Sequence, residues 1–133
     1  MSTIPQDLNW VEKRAACKIA EVFHALCIEI ANDIIAINGI KYKELYFKQE
    51  SLRDGTIVIG QPNGAPMLTV SIGIINQQIT VQDQATPDRW SVRVGLNNEG
   101  RCTLKLEDGT ELEHWQFRKK ALEELFFGDK RRP

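Results

Sequence analysis

The chain has 133 residues, of which 42% are apolar and 26% charged, and its net charge is −1. These values exclude intrinsic disorder and leave no electrostatic field strong enough to draw nucleic acid or an anionic membrane. The opening Met-Ser-Thr-Ile-Pro-Gln-Asp has no basic stretch ahead of an apolar core, so no secretory signal is expected. The longest apolar stretch, Cys27 to Ile37, is interrupted by Glu29, Asn32 and Asp33 and does not read as a membrane span. Cys17, Cys27 and Cys102 are odd in number and show no paired spacing, which favours free buried thiols in a reducing cytoplasm.

Asp7 suits a helix N-cap, and no Pro or Gly interrupts the run from Leu8 to Asn38 before Gly39 supplies a stop. Val11, Ala15, Ile19, Val22, Leu26, Ile30, Ile34 and Ile37 recur at a helical period. Ala16, Ala20, Phe23, Cys27, Ala31 and Ile35 form a second apolar set beside them. About 30 helical residues at ~1.5 Å each span ~45 Å. A compact domain of this size has a diameter of roughly 36 Å. Either the helix breaks near Asn32-Asp33, or its overhang and second face meet another subunit. Asn-Asp is a weak breaker, so the second outcome is preferred.

From Tyr42 to His114 the apolar period becomes two, predicting strands over about 42–50, 56–61, 67–75, 78–83, 89–96, 101–106 and 110–114. Arg53-Asp54-Gly55, Asn98-Glu99-Gly100 and Glu107-Asp108-Gly109 suit three-residue hairpin loops with Gly in the left-handed region, and Asn76-Gln77 suits a two-residue turn. The loops at 62–66 and 85–88 are longer. This register sets Val94 against Leu104, Leu96 against Cys102, Leu104 against Leu112, Ile72 against Val81, Ile74 against Ile79, and Val81 against Trp90. One face becomes apolar, including Leu45, Leu68 and Ile74, and calls for a helix as its cover. A last helix is expected over about 116–127, with Trp115, Leu122, Leu125 and Phe126 as its apolar side and Gly128 as its stop.

Several groups invite chemistry, each with an ordinary reading beside it. Glu21 and His24 form a single Glu-x-x-His, without the second copy a di-metal bundle requires, so an exposed pair is the plain reading. Glu29 and Asp33 share a helix face, as paired acid–base or cation-binding carboxylates do, but a solvated face is the plain reading, and in a dimer the pair could line the contact. Cys102 and His114 fall diagonally near each other at the sheet end, and nothing in the sequence supplies an orienting third group or an oxyanion hole. The outer sheet face sets Gln78, Arg93, Lys105 and Glu111 in one row. There Arg93 and Lys105 are like charges directly opposite, and Glu111 answers Lys105. Tyr42, Tyr46, Val58 and Ile75 add a small apolar area to that face. Phosphate-loop, dinucleotide, zinc-protease and serine-hydrolase motifs are absent, so no cofactor and no metal is expected.

The expectation is therefore one α+β domain over 1–133, with loose ends at 1–7 and 129–133. In it a long N-terminal helix packs on a curled antiparallel meander of six or seven strands, followed by a short C-terminal helix. No motif specifies a mechanism. The preferred function is a non-enzymatic cytoplasmic binding or adaptor module, a homodimer through the long helix, with no nucleic-acid or membrane partner. The alternative is a small-molecule binding protein or enzyme whose cavity lies between helix and sheet, lined by Trp90, Phe23 and Cys102 with His114 at its mouth.

Overall fold

The computed structural model describes residues 9–40, 46–61, 69–84 and 89–128. The expectations placed on Asp7, Tyr42, Leu45, Leu68, the 62–66 and 85–88 loops and the 129–133 tail lie outside these residues. Two helices open the chain, α1 (Trp10–Ala16) and α2 (Ile19–Ile40). Seven strands follow: β1 (Lys48–Ser51), β2 (Ile57–Gly60), β3 (Thr69–Ile75), β4 (Gln78–Asp83), β5 (Arg89–Leu96), β6 (Cys102–Leu106) and β7 (Glu111–Leu112). Helix α3 (His114–Phe127) closes the order. The strands form one antiparallel sheet in the order β1-β2-β3-β4-β5-β6-β7, a pure meander that does not close into a barrel. The fold is α+β, as the change of apolar period predicts.

The pairings expected from turn length are the ones observed. Val94 faces Leu104, Leu96 faces Cys102, Ile72 faces Val81, Ile74 faces Ile79, Val81 faces Trp90 and Leu104 faces Leu112. The local cause is visible in the loops. Asn76 and Gln77 both have positive φ (52° and 66°), the two-residue turn whose twist matches the flanking strands. In two of the three-residue loops the same Asx contact recurs: Asp54 Oδ1 accepts from Thr56 N and Asp108 Oδ1 from Thr110 N, each at 2.9 Å. At the third, Asn97 just before the loop accepts from Glu99 N and Arg101 N, each at 2.9 Å.

The first helix departs from expectation. It breaks, but at Cys17-Lys18 rather than at Asn32-Asp33. Cys17 leaves the helix with φ −93° and ψ 61°, and its carbonyl accepts from Arg14 Nη1 at 2.8 Å. The cause is covalent: Cys17 is bonded to Cys102 of β6, with their Cα atoms 5.5 Å apart across a sequence separation of 85. The reading of three free thiols is thus corrected, and only Cys27 is free. Cys17 is 1% exposed, whereas α1 itself buries no residue. Val11 and Ala15, expected on the apolar stripe, lie in the solvent. Helix α2 passes through Asn32-Asp33 unbroken and includes Gly39, and at 22 residues it is ~33 Å long, short enough for its own domain. The overhang argument for a second subunit therefore falls away.

Val22, Leu26, Ile30, Ile34 and Ile37 of α2 are buried on the sheet, each contributing roughly 1.5–3 kcal/mol of transfer free energy. Asn38 ties the far end of α2 to the start of the sheet: its Nδ2 donates to the Phe47 carbonyl (2.9 Å) and its Oδ1 accepts from Phe47 N (2.8 Å). Helix α3 lies beside α2 on the same sheet face. It starts at His114, two residues earlier than expected, and Gln116 Oε1 accepts from Glu113 N at 2.8 Å to cap it. That phase buries Phe117, Ala121, Leu122, Leu125 and Phe126 and leaves Trp115 53% exposed, correcting its assignment to the apolar side. Ile74, expected in the core, is 42% exposed beside the β3–β4 turn.

Candidate functional site

The strongest concentration of chemistry lies on the seam between α2 and α3. Each helix contributes two residues four apart, which share one face. Glu29 and Asp33 of α2 meet His114 and Arg118 of α3. Arg118 Nε donates to Asp33 Oδ2 at 2.7 Å and Arg118 Nη1 to Glu29 Oε1 at 3.0 Å. His114 Nδ1 donates to the same Glu29 carboxylate at 3.0 and 3.2 Å. The Arg118 side chain is 20% exposed and the other three are about one-third exposed, so the cluster is half withdrawn from water. Glu29 and Asp33 are accordingly not a solvated face. They are the counter-charges of α3, and the guanidinium fork fixes the pitch of one helix against the other.

A carboxylate on Nδ1 is also how a histidine base is oriented. What such a base would serve is not assembled here. Cys102 lies near His114, in one surface cleft, but its sulfur is held by Cys17 and cannot act as a thiolate nucleophile. Glu29 accepts from Arg118 and His114, and Asp33 from Arg118, so both carboxylates are already answered by α3. No group of three or more metal-ligating side chains occurs among the described residues.

The cavity expected between helix and sheet is filled by α3. Phe117 stands edge-on to Trp90 with ring centroids 5.2 Å apart, and Lys120 Nζ lies 5.0 Å from the Trp90 ring. Phe23 packs against the same core cluster. Trp90 and Phe23 are thus packing residues, and Cys102 and His114 lie away from them at the α3 N-terminus. An open groove of about 370 Å³ lies elsewhere, between α2 and α3, floored by Ile37, Leu122 and Phe126 and rimmed by Trp115, Arg118 and Lys119.

On the outer sheet face Arg93 does stand opposite Lys105, and Lys105 opposite Glu111; Gln78 continues the row through the Ile79–Val92 pairing. Glu111 does not answer Lys105, however. Its Oε1 accepts from Asn97 Nδ2 at 3.3 Å, and no ion pair joins it to Lys105 among the described residues. Deeper on this face Thr80, 5% exposed, shares a 2.8 Å hydroxyl hydrogen bond with Ser91.

The last exposed surface is the side of α2 turned from both sheet and α3. Ile28 is 53% and Ile35 70% exposed there, with Ala20, His24, Ala31 and Gly39 around them. The 22 residues of α2 contain no Lys or Arg.

Arg118 is the residue sequence reasoning missed. The available signal was the match of two spacings: acids at 29 and 33, bases at 114 and 118.

No family model, no curated protein and no solved structure matches the chain.

Proposed function

We propose that this chain is a non-enzymatic binding module that self-associates, as an antiparallel pair, through the outer face of α2. The observation that supports it is the stripe carrying Ile28 and Ile35 (53% and 70% exposed), which holds no Lys or Arg and has Glu21 at its edge. Ala20, Ala31, His24, Ile35, Ile28 and Gly39 fall within an arc of about 100° at 3.6 residues per turn. The stripe is self-complementary under a two-fold axis between Ile28 and Ala31. Ile28 then meets Ala31, His24 meets Ile35 and Ala20 meets Gly39, so the branched Ile28 faces a small residue and no like charges oppose. A Cβ at Gly39 would meet nothing within 4 Å in the single chain, so that position is open to a partner.

The stripe is roughly 28 Å long and 10 Å wide, at the low end for a specific interface, so a micromolar rather than nanomolar dissociation constant is expected. Sedimentation velocity from 1 to 200 µM (roughly, bracketing that range) tests it. Dimer that forms with rising concentration and disappears in Ile35→Glu and Ala20→Glu, with the circular dichroism of both variants unchanged, supports the proposal. A monomer at every concentration sinks it. Ala20→Glu sits in the first turn of α2, where an added carboxylate suits the helix dipole, so lost dimer there does not reflect a lost helix.

Among the described residues no helix is long and apolar enough to cross a membrane. The proposal keeps a cytoplasmic location, with one condition: a reducing compartment holds Cys17 and Cys102 as thiols for much of the time.

The second reading is a small-molecule binder, favoured by the α2–α3 groove, whose volume of about 370 Å³ falls in the range of ligand sites. Trp115 on its rim is a built-in probe. Quenching or a blue shift of its emission by one member of a metabolite panel, lost in Trp115→Ala, would favour this reading over self-association.

A further inference from the structure

We propose that the Cys17–Cys102 disulfide is a reversible redox latch, exchanged at Cys102 by small zwitterionic monothiols of the glutathione class, and that opening it releases α1. Three independent features carry this. The first is asymmetric access. Cys17 is 1% exposed, while Cys102 belongs to the exposed residues at the start of β6. An incoming thiolate must attack along the S–S axis, and only the Cys102 side is open to it.

The second is a place for the thiol to sit. Cys102 lines a surface cleft of about 380 Å³ whose other walls include Asn97, Arg101, Glu111, Glu113 and His114; Cys17 does not line it. Arg101, paired with Glu99 at 3.3 Å, puts a cation at the cleft, and Glu111 and Glu113, which accept from Asn97 and Trp115, put anions there. A compact molecule bearing both signs of charge and one thiol suits that mixture better than a dithiol protein face, which would have to reach past the rim.

The third is what the bond holds. Helix α1 has seven residues, none of them buried. Isolated helices shorter than about 12–15 residues are marginal in water, so α1 depends on its attachments. Its junction is pinned by Cys17, whose amide donates to the Lys13 and Arg14 carbonyls at 3.1 Å and whose carbonyl accepts from Arg14. The sheet and α2, by contrast, hold their own core, and Cys17 is not among the residues of that core cluster.

The exchange balances as follows. The thiolate of the monothiol bonds to Cys102 Sγ, the Cys17–Cys102 bond breaks, and Cys17 leaves as a thiolate that takes up a proton. A second monothiol attacks the external sulfur of the mixed disulfide, releasing Cys102 as a thiol and the oxidised form of the monothiol. Two electrons and two protons pass to the protein. With Cys17 withdrawn from solvent in the bonded state, the first adduct forms on Cys102.

The test uses the full chain with Cys27→Ala, which removes the third thiol. Oxidised and reduced protein are compared by limited trypsin digestion at Lys13, Arg14 and Lys18 and by hydrogen exchange. Reduction with glutathione is expected to speed cleavage at these sites on the order of tenfold or more while β3, β4 and β5 keep their protection. Brief exposure of the oxidised protein to glutathione, quenched with acid, is expected to leave the glutathione adduct on Cys102 and not on Cys17, as read by peptide mass. Unchanged exchange over residues 10–18 on reduction overturns the latch. So does loss of sheet protection together with α1, which would make the bond a staple of the whole fold. A first adduct shared equally by Cys17 and Cys102 overturns the assignment of Cys102 as the exchanging sulfur.

Discussion

Replacing Arg118 with Ala tests whether the seam between α2 and α3 is held by charge or by apolar packing alone. The substitution deletes two charge-assisted hydrogen bonds, at 2.7 Å to Asp33 and 3.0 Å to Glu29. Bonds to charged groups contribute roughly 1.5–3 kcal/mol each when buried. Here Arg118 is 20% exposed and its acceptors 32–36%, so water recovers part of each, and about 1 kcal/mol apiece is a fair discount. Glu29 and Asp33, four apart, are then like charges with one counter-charge fewer, adding about 0.3–0.5 kcal/mol. The total is about 2–2.5 kcal/mol. With an unfolding entropy of about 2.1 cal/mol/K per residue over 133 residues, that is a fall of roughly 8 °C in Tm. Urea and thermal unfolding followed by circular dichroism measure it. Arg118→Lys keeps a charge but not the fork and is expected to recover about half. A double-mutant cycle with Asp33→Asn isolates the pair. A loss below about 0.5 kcal/mol, or no coupling in the cycle, would refute the reasoning and leave the cluster as surface ornament of an apolar contact.

Asp54 and Asp108 are held below the usual carboxylate range, first of all by the backbone N–H of Thr56 and of Thr110. A depressed folded-state value means their stabilisation is present above the unfolded carboxylate pKa and fades as pH falls through the folded one. Carbon-detected NMR titration is expected to show both carboxyls titrating below the usual aspartate range, and Asp54→Asn to flatten part of the acid limb of a stability–pH curve. Gly73→Ala places a Cβ 2.6 Å from Thr56 Oγ1 and 3.3 Å from its Cβ and Cγ2. Overpacking of that kind costs about 1–3 kcal/mol, and Thr56→Ala in the same chain is expected to restore most of it in urea melts. Arg93→Glu turns the like-charge pair with Lys105 into an attractive one and is expected to raise stability by about 0.5–1 kcal/mol at low salt, less at high salt.

What could be read from the chain alone was whatever short-range rules control. The strand register follows from a period of two and from loops whose length and Asx or Gly residues set the turn. Slipping Val94–Leu104 or Ile72–Val81 by one position would put every apolar side chain in water. The core stripe of α2 from Val22 to Ile37 followed in the same way from its period. Tertiary structure decided the rest, because each remaining feature joins residues distant in sequence. Nothing local marks Cys17 as a helix end; the break exists because Cys102, 85 positions later, is bonded to it. Glu29 and Asp33 read as solvated until α3 lays His114 and Arg118 on them. The cavity inferred at Trp90 is absent for a related reason: a helix starting two residues early turns Phe117 inward and fills it. Periodicity tells each element which face is apolar. It does not say which of two helices will occupy a given part of the sheet, since that choice depends on packing and charge pairing across the whole fold.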